Sequence, residues 1–114
     1  MAYPLNNLAE LYHGQGRYAE AEPLYQRALR IREQLGPERP ETAETLHDLA
    51  QLRQMQGNGE EARIWYVRAL AVRERAFGVQ HPKTTETRTH LIVLLHALGQ
   101  HEQAAQLEMT QPEP

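Results

Sequence analysis

Apolar residues recur three and four positions apart along the first third of the chain. Leu5, Leu8 and Tyr12 form one such series, and Ala21, Leu24, Tyr25, Ala28 and Leu29 form a second. This spacing predicts two helices, each with one apolar face. Gly16 separates them, and the second is expected to end near 35-LGPERP-40, where glycine and proline stop a helix. The pattern then returns. The segment 21-AEPLYQRAL-29 matches 62-ARIWYVRAL-70 at five of nine positions. In the same register Leu8-Ala9 aligns with Leu49-Ala50 and Leu91-Ile92, and Gly16 with Gly57 and Gly99. Ala21 likewise aligns with Ala62 and Ala104, and Pro40 with Pro82. The period is 41 and then 42 residues, with the difference falling near Leu35 and Phe77. No segment shows the strict alternation of a half-buried strand. The chain is therefore read as all-α. One helical hairpin cannot bury its own apolar face, whereas stacked copies cover one another, so a short right-handed stack of antiparallel helix pairs is expected.

Helix-end chemistry agrees with this phase. Pro40 and Pro82 suit the first helical position, where no N–H is needed. Asn58 followed by Glu61 reads as a capping box. Acidic starts (Glu20, Glu22; Glu60, Glu61) and basic ends (Arg30, Arg32; Arg73, Arg75) oppose the helix dipole. Pro23 is the local exception: it marks either a later start or a slight bend. The run 91-LIVLL-95 fits least well. Five consecutive apolar residues point all round a helix, so part of the run is expected to face outward and drive self-association, with Val93 and Leu94 as probes.

Composition narrows the class. At 114 residues the chain is at most one ordinary domain, and a formal charge of −3 gives no support for nucleic-acid binding. The longest unbroken apolar run is five residues, far below the roughly 20 that a membrane span requires. The start, MAYPLNN, has neither the basic region nor the apolar stretch of a signal peptide. Cysteine is absent, which removes disulfides and thiolate zinc sites and fits a cytoplasmic location.

The spacing of Leu5, Leu8, Ala9, Tyr12, Gly16, Tyr18, Ala21, Tyr25 and Ala28 resembles the tetratricopeptide repeat. The longer unit, with NNLAELY, AEPLYQRAL and LGPERP, is similar to the repeats of kinesin light chains and their bacterial relatives. The resemblance covers roughly residues 3–109 and implies an α-solenoid of about two and a half repeats: about 3–39, about 40–81 and a partial third at about 82–109. The tail 110–114 is expected to be disordered. Three positions depart from the pattern: Arg53 stands in place of Tyr12, Arg88 in place of Leu5, and Glu108 in place of Tyr25 and Tyr66.

The resemblance also implies a binding mode, in which the first helices line a concave groove that takes a peptide or partner protein. Matched residue by residue, that groove holds Tyr3, Asn6, Asn7, Glu10 and His13 in the first unit. The second unit offers Glu44, His47, Asp48, Gln51 and Gln54; the third offers Glu86, Thr89, His90, Val93 and His96. Asparagines at the place of Asn6 and Asn7 can hold a peptide backbone, since an amide both donates and accepts. The acidic groove residues favour a ligand with basic or donor groups. The alternative function is structural, an oligomerising module whose main contacts are end-to-end.

Enzymatic chemistry has little support. The six histidines form no H-E-x-x-H set, and no phosphate-binding loop or G-x-G-x-x-G is present. The chain contains no serine and no cysteine, so a Ser-His-Asp or cysteine nucleophile is impossible. No cofactor, no metal, no nucleic acid and no membrane are expected as partners. His81, before Pro82, is expected to serve the loop or a helix cap.

Overall fold

The computed structural model describes residues 2–109, with side chains from residue 4 onward. Tyr3 as a groove side chain and the tail 110–114 lie outside the described residues. Six helices follow one another: α1 (Ala2–Gly14), α2 (Tyr18–Leu35), α3 (Pro40–Met55), α4 (Gly59–Phe77), α5 (Pro82–Ala97) and α6 (His101–Met109). Among the described residues there is no strand, and the array is all-α. The links within a pair are three residues long and those between pairs four. Links this short make consecutive helices antiparallel neighbours. The three pairs are α1/α2, α3/α4 and α5/α6.

The periodic residues are the ones that pack. Ala9, Ala21, Ala28, Ala50, Ala62, Ala69 and Ala104 are fully buried, as are Tyr25 and Tyr66. Alanine lets two helix backbones approach, and the tyrosine ring fills the gap beside it. Leu46, Leu49 and Leu52 of α3 join Ala21, Tyr25 and Leu29 of α2 in one cluster. Leu91, Leu94 and Leu95 of α5 join Ala62, Tyr66 and Leu70 of α4 in a second. Trp65 packs against both. Gly16, Gly57 and Gly99 hold φ of +77°, +82° and +78°, a left-handed backbone that favours glycine at each turn inside a pair. The extra residue of the second period extends α4, which has 19 residues against 18 in α2.

Several sequence expectations are corrected. The helix α2 already begins at Tyr18, so Pro23 lies inside it and does not mark a later start. Asn58 precedes α4, but its side chain makes no capping bond; its Nδ2 donates instead to Glu61 Oε2 at 2.8 Å. His81 does cap α5, accepting from the Lys83 amide at 3.0 Å. In the run 91–95, Leu91, Ile92, Leu94 and Leu95 are buried and Val93 alone is exposed. Leu94 packs toward the start of α4, where a Cβ on Gly59 would meet it at 3.4 Å. It is a core residue and cannot probe an exposed end.

The junctions between pairs carry a polar lock that repeats with the fold. Arg32 Nη1 donates to the Glu41 carbonyl, Glu44 Oε1 and Thr45 Oγ1 at 2.8, 2.9 and 3.0 Å. One period later Arg73 Nη1 donates to the Lys83 carbonyl, Glu86 Oε1 and Thr87 Oγ1 at 3.1, 3.4 and 2.8 Å. Thr42 and Thr84 donate back to the Arg32 and Arg73 carbonyls. Buried arginines are tolerated here because their charge is met by carbonyl and carboxylate oxygens.

Candidate peptide-binding face

The first helices α1, α3 and α5 supply the expected face, and the structure divides its residues into two groups. Asn6 and His47 are buried, 1% and 5% exposed, and belong to the junctions between units. Thr45 Oγ1 donates to Asn6 Oδ1 at 3.0 Å, while Asn6 Nδ2 donates to Glu10 and Asp48 at 3.3 and 3.2 Å. One period later His47 Nδ1 lies 3.0 Å from Thr87 Oγ1. Neither side chain is open to a ligand, which corrects their assignment to the groove surface. Adjacent residues lie about 100° apart around a helix, so Asn6 turns into the stack while Asn7 remains exposed.

A second set of bonds ties first to second helix inside each pair, always twelve residues apart. His13 Nδ1 lies 3.0 Å from Tyr25 Oη, Tyr66 Oη donates to Gln54 Oε1 at 3.1 Å, and His96 Nε2 lies 3.0 Å from Glu108 Oε1. Glu108 therefore keeps, in the third unit, the partner role that the tyrosines hold in the first two. Gln54, half-buried, is a structural acceptor as much as a surface group.

What remains open is a cleft of about 620 Å³ across the first two units. It is lined by Glu10, His13, Tyr18, Tyr25, Asp48, Gln51 and Met55. Tyr18, Tyr25 and Met55 were not expected in it. Met55, 57% exposed, sits on a first helix and was a legible signal; the tyrosines reach the cleft from α2 and were not. Glu44 stands half-exposed and is held by Arg32. In the third unit, Thr89 and Val93 are exposed, and His90 packs edge-on to His47 with ring centroids 5.0 Å apart. Glu86 and His96 are exposed but engaged, by Arg73 and by His101 and Glu108. None of these third-unit residues lines the cleft.

The cleft is electrostatically unbalanced. Neither Glu10 nor Asp48 has a cationic partner within 4 Å among the described residues. Burial and the Glu10 carboxylate push the Asp48 carboxyl up to about 8, against the Asn6 amide, which lowers it. Burial, with Arg73 nearby, pushes His47 down to about 4. The signs follow by linkage. Asp48 keeps a proton in the folded chain that it loses when unfolded, so its contribution is full near pH 4 and falls as pH rises toward 8. His47 acts oppositely and costs stability only as pH falls from 6.5 toward 4. Thermal unfolding is therefore expected to show stability falling between about pH 6.5 and 8, by about 1–2 kcal/mol. Asp48→Asn is expected to flatten that fall; an unchanged slope in the variant would place its source elsewhere.

Among the described residues no cluster of three or more His, Cys, Asp or Glu is placed to hold a metal ion, and no helix is long and apolar enough to cross a membrane.

Comparisons with known proteins fit this architecture. No curated protein matches the sequence. Among solved structures, BtubC (BKLC) from P. vanneervenii superposes with a TM-score of 0.88 at 25% identity, over 96% of this chain and 43% of that one. The nearly identical TPR-like repeats of a Podospora anserina protein described as a kinesin light chain superpose with a TM-score of 0.80 at 25% identity. That match covers 95% of this chain and 52% of the other. The chain thus spans about half the length of these solved proteins. The tetratricopeptide repeat family model matches residues 1–66 and 50–109, and the chain belongs to the tetratricopeptide repeat family, with kinesin-light-chain-like proteins among its structural neighbours.

Proposed function

We propose that the chain is a protein-interaction module that binds a basic peptide segment of a partner protein across α1 and α3. Tetratricopeptide folds generally mediate protein–protein interaction. The observation that carries the finer reading is the cleft in which Glu10 and Asp48 meet without a cation. A lysine or arginine side chain entering there would replace the retained proton. Gln51 lines the cleft, and Asn7 is exposed on α1 three residues before Glu10, each offering an amide to a peptide backbone. Nothing in the reading requires catalysis or a cofactor, and a cytoplasmic setting suits it.

Titration with matched basic and acidic fluorescent peptides tests the reading. Basic peptides are expected to bind more tightly, with affinity rising from about pH 6 to 9 as the retained proton becomes easier to displace. Asn7→Ala and Asp48→Ala are expected to weaken them. Preferential binding of acidic peptides would overturn the proposal.

One observation favours the structural alternative. Leu8 and Leu11 of α1 are 40% and 56% exposed, whereas their counterparts Leu49 and Leu52 are buried against α2. An end-to-end contact would cover them. In that case Leu11→Glu, and not Asp48→Ala, would change the sedimentation behaviour.

A further inference from the structure

The two junctions between units differ on the side formed by the second helices. Between the first and second units, charge closes the space. Arg53 donates to Glu22 and Glu61, and Trp65 Nε1 donates to Glu61 at 3.3 Å. One period on, the same positions carry Leu95 for Arg53, Arg63 for Glu22, Gln103 for Glu61 and Leu107 for Trp65. The arginine has become a leucine, the indole has shrunk, and the sign of charge on the earlier helix has reversed.

What results is a crevice of about 370 Å³ between α4, α5 and α6. Val67, Leu70, Leu91, Leu95 and Leu107 supply its apolar lining. Arg63 is the one charged residue that lines it. Its Nε is buried without a hydrogen-bond partner, and its Nη2 meets Glu60 only at 3.4 Å. A guanidinium so weakly paired beside an apolar surface matches a ligand with a carboxylate at one end and a hydrocarbon body. The volume is at the small end of the range for ligand sites.

We propose that this crevice binds a small amphipathic carboxylate, its apolar body along the leucines and its carboxylate on Arg63. The leucines favour any hydrocarbon, while Arg63 selects the anion over a neutral or cationic analogue. The site is separate from the cleft on the first helices, so it stands or falls independently of peptide binding.

Decanoate is the probe, titrated by NMR below the concentration at which it forms micelles, with decanol as the neutral comparison. Saturable binding of decanoate is expected, with shifts confined to α4, α5 and α6, and weaker binding of decanol. Arg63→Gln is expected to weaken decanoate about tenfold or more while leaving decanol unchanged. Leu107→Trp, which restores the ring found at the first junction, is expected to abolish both. Should that variant fail to fold, Val67→Glu serves: Val67 is 47% exposed, and a carboxylate four residues after Arg63 would occupy the guanidinium. No saturable binding, equal binding of decanoate and decanol, or binding undiminished in the filled or carboxylate variants would overturn the proposal.

Discussion

Arg88→Leu is expected to stabilise the protein, by about 1–4 kcal/mol. Arg88 is fully buried, yet its Nε and Nη1 have no hydrogen-bond partner. Nη2 donates to the Val79 carbonyl at 3.0 Å and lies 3.5 Å from Glu74. Two such contacts do not offset the desolvation of a whole guanidinium, and each unpartnered N–H adds its own penalty. The repeat itself shows what the position accommodates: the counterparts are Leu5 and Leu46, and Leu46 is fully buried on α3. Leucine loses the contact with Glu74, but that carboxylate is 38% exposed and is left to water. Thermal and urea unfolding of the two proteins measure the effect, with a rise in Tm of about 4 °C for each kcal/mol gained. A lower Tm in the leucine variant would show that the Arg88 contacts outweigh its burial.

Tyr66→Ala is expected to have the opposite sign and a larger size, about 3–5 kcal/mol of lost stability. Tyr66 is fully buried within the cluster that joins α4 to α5. Its ring meets His47 edge-on and His90 at a tilt, with centroids 5.4 and 5.9 Å away. Removing it opens a void within the cluster at the second junction, where the small side chains of Ala50 and Ala62 have little volume to fill it. Tyr66→Phe removes only the donor to Gln54 and is expected to cost about 1 kcal/mol. The pair of variants therefore separates packing from hydrogen bonding. Because stability in a stack is shared between neighbours, amide exchange in α5 and α6 is expected to accelerate most. Equal losses in the alanine and phenylalanine variants would mean that the hydroxyl, not the ring, holds the junction.

Much of the fold could be read from spacing. The recurring alanines and tyrosines lie in the core, the glycines sit at the turns, and prolines open the two helices that follow the links between pairs. Less of the site could be read. Arg32 and Arg73 look like favourable charges at helix ends, and their local sequence gives no sign of the carbonyls and threonines they meet across a junction. Leu94 looked like an outward residue because a five-residue apolar run exceeds what one partner helix can cover. In the stack, α5 has α4 on one side and α6 on another, and only Val93 escapes.

The sequence alone determined that this protein is a helical repeat, because helix periodicity, small-residue spacing and turn glycines are local properties that recur at a fixed interval. Which polar residues of the first helices turn into the stack was decided only by tertiary structure. Asn6 and His47 differ from Asn7 and Asp48 by one position each, and local chemistry treats them alike. The next helix pair takes Asn6 and His47 into the junctions, while Asn7 stays exposed and Asp48 still lines the cleft, since a helix face is buried only once its neighbour's place is known.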